Sequence, residues 1–115
     1  MANRNVPRAE WYRFFEDFTR RHREALVSVT VVGEKLGAQH EARQLPLNGI
    51  VADRFGKKLS IALGGAQGSN IDHPVDRPVR VWVEMDERGN EIAVEIESEN
   101  GLQTILELPL AARRP

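Results

Sequence analysis

The chain predicts an α+β fold: an N-terminal helix followed by a twisted antiparallel sheet of five to six strands, closed as an SH3-like or Sm-like small barrel. A cystatin-like helix on a curved sheet is the alternative. Three observations predict this class. An aromatic stripe at helical spacing occupies residues 11 to 22. From Leu26 the apolar period switches to two. The 115 residues carry no cysteine, no repeat and no long linker, which suits a single domain over 1–115.

The helix is expected over about 7–24. Trp11, Phe14, Phe15, Phe18 and His22 recur at spacings of three and four and share one face. Pro7 suits a first turn, where its missing N–H costs nothing. A helix of this length is marginal alone and must dock its stripe on something apolar. The β region is expected over about 26–109. Val27, Val29 and Val31 alternate with Ser28, Thr30 and Val32. A second extended stretch runs from about Ala38 to Asp53. Pro46 within it demands a bend, a bulge or an edge position, and Asn48-Gly49 is a further bend. Leu59, Ile61 and Leu63 mark a third strand. Pro74 and Pro78 leave little room for helix between Ile71 and Pro78.

The last third is the clearest. Val79, Val81, Val83 and Met85 share one face, opposite Arg80, Trp82 and Glu84. A turn centred on Arg88-Gly89 pairs Met85 with Ile92, Val83 with Val94 and Val81 with Ile96. For the next hairpin, a two-residue Asn100-Gly101 turn would set Val94 against Glu107. A three-residue loop, Glu99 to Gly101, instead pairs Ser98 with Leu102, Ile96 with Thr104 and Val94 with Leu106. Only the second choice keeps apolar faces together, because a slip of one residue reverses every side chain. Gly101 is then expected in the left-handed position of a type I turn with a G1 bulge.

Several segments also carry a resemblance. They are V-P-R-A-E-W with F-F-x-x-F-x-R-x-H (Val6 to Trp11, Phe14 to His22) and G-A-Q-x-E-A-R-x-L-P-L-x-G-I (Gly37 to Ile50). I-A-L-G (Ile61 to Gly64) and I-E-S-x-x-G with T-x-L (Ile96 to Gly101, Thr104 to Leu106) complete them. Together they resemble a family of small uncharacterised bacterial proteins, a domain of unknown function whose most specific part is the E-A-R-x-L-P-L block. The resemblance implies a stand-alone bacterial domain and brings no activity and no catalytic residues.

Composition narrows the chemistry. Without cysteine there is no thiol nucleophile and no Cys-based zinc site. His22, His40 and His73 lack metal-ligand spacing, and no serine sits in a G-x-S-x-G context. The loop Gly64 to Asn70 matches neither phosphate-binding fingerprint and reads as an ordinary connection. No catalytic, cofactor or metal residue is therefore assigned, no cofactor is expected, and an enzyme ranks third among the readings. No apolar run reaches the roughly 20 residues of a membrane span, and the N-terminus lacks a signal-peptide stretch, so the expected location is the cytoplasm.

The net charge of −1 conceals an asymmetry. Residues 1–23 hold six arginines against three acids, whereas residues 81–107 hold eight acids and only Arg88. Arg20, Arg21 and Arg23 form a candidate basic patch, although cations also complement the end of a helix. The acidic hairpins argue against nucleic acid as partner. On the last two hairpins Trp82, Glu95 and Ile105 fall side by side on the face opposite Val81 and Val83. One apolar helix stripe covers one sheet face. If it covers the inner face, Trp82, Glu95 and Ile105 become an interaction surface. The favoured function is a non-enzymatic binding or interaction module that self-associates as a homo-oligomer or meets an unidentified protein. A ligand- or nucleic-acid-binding small barrel is the alternative.

Overall fold

A computed structural model describes residues 2–35, 37–64 and 70–109. The backbone forms eight antiparallel strands: β1 (Ala2–Val6), β2 (Leu26–Gly33), β3 (Gly37–Ala52), β4 (Lys58–Gly64), β5 (Asn70–Asp76), β6 (Pro78–Met85), β7 (Glu91–Ser98) and β8 (Gln103–Glu107). They join one open sheet in the order β1-β6-β7-β8-β2-β3-β4-β5. Among the described residues a single α-helix, α1 (Trp11–His22), follows a short 3-10 turn at Arg8–Glu10.

The expected class is thereby corrected. The molecule is mostly sheet, with one short helix, rather than α+β with five to six strands. The sheet is open, with β1 and β5 as its edges, rather than closed as a small barrel. The strand count fails for the barrel and for the cystatin-like alternative alike. The two additional strands have a common physical reason. β1 reads Ala-Asn-Arg-Asn-Val and β5 reads Asn-Ile-Asp-His-Pro-Val-Asp. Neither alternates cleanly, and both are edge strands held by backbone pairing on one side. An edge tolerates polar residues and a proline such as Pro74 that an interior strand would not.

Openness follows from what β3 does at Pro46. Its first part pairs with β2 as far as Pro46, and its second part pairs with β4 from Leu47 onward, with a register shift between Leu47 and Gly49. The strand changes partners at the bend. Beyond it, the β3 edge that β2 has left is taken up by α1 and the turn that follows. Glu24 N–H donates to the Leu47 carbonyl at 2.7 Å, and Leu47 N–H donates to the Ala25 carbonyl at 2.9 Å. The Thr19 hydroxyl accepts from Ile50 N–H at 2.9 Å and lies 3.3 Å from the Ile50 carbonyl. Gly49 lies beneath it, where a Cβ would come within 3.1 Å of the Thr19 methyl and press on it.

The helix stripe packs on the inner face. Trp11, Phe14, Phe15 and Phe18 join Val27, Val29, Val81, Val83, Val94, Ile96 and Leu106 in one core. Trp11 is 1% exposed, and its indole N–H donates to the Val6 carbonyl at 2.8 Å, so its one polar group is paired despite burial. Arg8 stacks over Trp11 and donates to the carbonyls of Gly56 and Pro78, joining the helix entrance to the β3–β4 turn and the start of β6.

Both late hairpins can be checked pair by pair. Across β7–β8, Val94 faces Leu106 and Ile96 faces Thr104. Ser98 N–H reaches the Leu102 carbonyl, and Gly101 has φ +89, as the three-residue loop requires. Across β6–β7, Val83 faces Val94 and Val81 faces Ile96. The expected pairing of Met85 with Ile92 fails, because Met85 faces Glu91. The turn there also has three residues, with Gly89 at φ +83, and a bulge restores the parity. Val79 departs from the inner face as well. A register shift between Pro78 and Arg80 leaves it 38% exposed.

Candidate functional site

With α1 on the inner face, the outer face of β6, β7, β8, β2 and the first part of β3 lies open. Its centre is one row of cross-strand neighbours. Asn5 faces Trp82, Trp82 faces Glu95, Glu95 faces Ile105, Ile105 faces Thr30, and Thr30 faces His40. Strand alternation explains the row. Its central members lie between buried residues, such as Val81 and Val83 around Trp82, Thr104 and Leu106 around Ile105 or Val29 and Val31 around Thr30. Trp82, Glu95 and Ile105 are half-buried, and His40 is exposed.

The row is chemically graded. Around Trp82 lie Arg80 and Glu84 on its own strand and Glu95 across from it, with Glu97 diagonal. Arg80 approaches Glu97 at 3.7 Å. Burial, and after it the charge of Glu84, pushes the Glu95 carboxyl above the usual carboxylate range. This end is aromatic and acidic, with repulsion between Glu84 and Glu95 that nothing in the row offsets.

The other end is polar, with Arg43 as its cation and Glu107 as its anion. Ser28, Thr30, His40, Arg43, Gln44 and Glu107 line a cavity of about 420 Å3. Thr30 Oγ1 lies 3.1 Å from His40 Nδ1, and Gln44 N–H donates to Ser28 Oγ at 3.1 Å. Gln44 has φ +52, the backbone conformation that fits an extra β3 residue opposite Ser28. Sequence reasoning missed this end. Its one usable signal was His40 in the alternation of β3, and the bulge that brings Arg43 beside Ser28 has no sequence signature of its own.

Of the candidate basic patch, Arg20 and Arg23 line one groove while Arg21 turns to Glu91. Arg20 is paired with Asp17 on the helix. Arg21 makes a two-oxygen contact with Glu91, which also meets His22 Nε2 at 2.7 Å. Arg23 lies in a larger groove, about 620 Å3, between α1 and β3, with Tyr12, Thr19, Asn48 and Val51. Glu16 and Arg20 line that groove as well, and Thr19 within it is committed to Ile50. His22, His40 and His73 stand on α1, β3 and β5, and among the described residues no group of three potential metal ligands occurs. No helix among the described residues is long and apolar enough to cross a membrane. The Gly64 to Asn70 loop falls mainly on residues 65–69, outside the described residues.

Fold and site define a mostly-β protein in which one helix closes the inner face of an eight-stranded open sheet and, among the described residues, nothing packs over the graded outer face. The chain belongs to the family of unknown function DUF5335, whose pattern matches residues 2–115. It is similar to an uncharacterized protein of Aquifex aeolicus (strain VF5), 25% identical over 115 residues, which span all of this chain and 99% of that protein. No solved structure matches. These relations indicate a bacterial domain and no specific function.

Proposed function

We propose that this protein is a non-enzymatic binding module that self-associates through the outer sheet face centred on Trp82, Glu95 and Ile105. One observation carries the reading: the aromatic stripe of α1 is spent on the inner face, so an indole and an isoleucine remain half-exposed on the other. An aromatic with a flanking aliphatic and a polar rim is the usual make-up of a protein contact. Nucleic-acid binding through Arg20, Arg21 and Arg23 has less support, because two of the three are engaged by carboxylates. The E-A-R-x-L-P-L block, Glu41 to Leu47, spans the bulge and the bend where β3 changes partners. That position supports taking it as a family signature with a structural role.

Sedimentation tests the reading. Wild type at high micromolar concentration is expected to sediment as a dimer, and Trp82→Glu as a monomer with unchanged circular dichroism. A wild-type monomer at that concentration overturns the proposal.

A further inference from the structure

The graded face raises the question of how two copies meet. Placing the acidic end of one on the acidic end of the other sets Glu84 and Glu95 against carboxylates, which opposes association. The row, however, is balanced about its middle. Ile105 on β8 has Glu95 and Trp82 to one side and Thr30 and His40 to the other. The neighbouring row has the same form. Glu107 on β8 has Ala93 and Glu84 to one side, and Ser28 with Arg43 and Gln44 to the other.

The geometry points to a symmetric dimer in which the outer faces stack about a two-fold axis running along β8, so that Trp82 and Glu84 of each copy meet His40 and Arg43 of the other. This rests on the self-association proposed above and names its partner surface. A rotation about that axis exchanges β6 with β3 and β7 with β2. Trp82 then lies over the second copy's imidazole and Glu84 over its Arg43 guanidinium, while Glu95 lies over the strand position of Thr30, whose own side chain is buried against His40. The two Ile105 side chains meet at the axis and form the apolar centre. A two-fold axis perpendicular to the strands would instead stack Glu95 on Glu95, without a cation to separate them. The chosen axis also closes the assembly at two copies, as an isologous contact does.

One residue is disfavoured by this arrangement and so reports on it. Glu107 sits on β8 and meets its own copy beside the axis, flanked by Arg43. The contact is modest in size. Five strands about 4.8 Å apart, each contributing about five residues at roughly 3.3 Å, give a footprint near 20 × 16 Å per copy. That is smaller than a standard interface, so the contact is a weak, transient one that depends on its apolar centre and its paired charges.

The experiment is a charge exchange read by sedimentation at low salt. Glu84→Arg and Arg43→Glu each place like charges together twice per dimer, and each alone is expected to weaken dimerisation at least about tenfold. An equimolar mixture of the two variants restores opposite charges at both contacts and is expected to return to wild-type mass. Glu107→Gln is expected to tighten the dimer. Circular dichroism and melting of each variant verify folding. If wild type dimerises and Trp82→Glu abolishes it, but the exchanged pair fails to recover, this arrangement is wrong and self-association stands. If wild type is monomeric, both are overturned.

Discussion

Thr19 illustrates how one side chain can stand in for a strand. Its hydroxyl serves both the N–H and the carbonyl of Ile50 on the β3 edge that β2 no longer covers. Thr19→Val keeps the shape and removes both partners. Leaving a partly buried donor and acceptor unpaired costs about 1–3 kcal/mol, so urea denaturation of this variant is expected to show an unfolding free energy lowered by that amount, with an unchanged slope. Gly101 tests the backbone alone. A Cβ there meets nothing within 4 Å, yet φ is +89. Gly101→Val is therefore expected to cost roughly 1–2 kcal/mol from conformation without any clash. Asn100→Asp retains the oxygen that accepts from Leu102 N–H and is expected to melt as wild type does.

At the scale of the element, α1 is held by its aromatic face and by one ionic clamp. Phe15 is fully buried. Phe15→Ala is expected to cost about 3–5 kcal/mol, the range for a large aromatic lost from a core, and thermal unfolding checks it. The clamp is Glu91, which accepts from Arg21 and pairs with His22. Burial pushes its carboxyl up, but the hydrogen bonds from His22 and Arg21, with Arg21's charge, outweigh burial and hold it below its ordinary value of 4.5. The folded carboxyl thus binds its proton less readily than the unfolded one. The stability it adds is fully present above about pH 4.5 and is lost as pH falls through the lowered folded value. Glu91→Gln is expected to be less stable at neutral pH and to lose less on acidification. A denaturation series from pH 7 to pH 3 would show wild type and variant converging at the acid end.

For the whole molecule, the decisive arrangement is which sheet face the helix takes. Packing on the inner face separates the roles of two tryptophans. Trp11 belongs to the core, whereas Trp82 belongs to the outer row. Trp82→Glu is accordingly expected to change stability by less than about 1 kcal/mol, the usual scale for substitutions outside the core. Trp11→Ala is expected to cost about 3–5 kcal/mol. Melting of both variants at dilute concentration, where association does not contribute, separates the two roles.

Local patterns were legible where a short segment carries its own constraint. The helix stripe, the alternation of β2, β4, β6, β7 and β8, and the loop at Gly101 follow from periods of 3.6 and 2 and from one glycine's tolerance of positive φ. So did the adjacency of Trp82, Glu95 and Ile105, because hairpin parity is a matter of counting. Tertiary structure alone decided the rest. β1 and β5 exist through backbone hydrogen bonds to neighbours, and backbone bonding leaves no mark on side-chain pattern. The extra residue opposite Ser28 and the change of partner at Pro46 depend on which strand lies alongside, not on the residues within β3. The sheet stays open because, past Pro46, β3 turns one edge to Thr19, Glu24 and Ala25 rather than to another strand. The choice between closing a barrel and resting against a helix is made between segments some twenty to thirty residues apart, by contacts that no local period encodes.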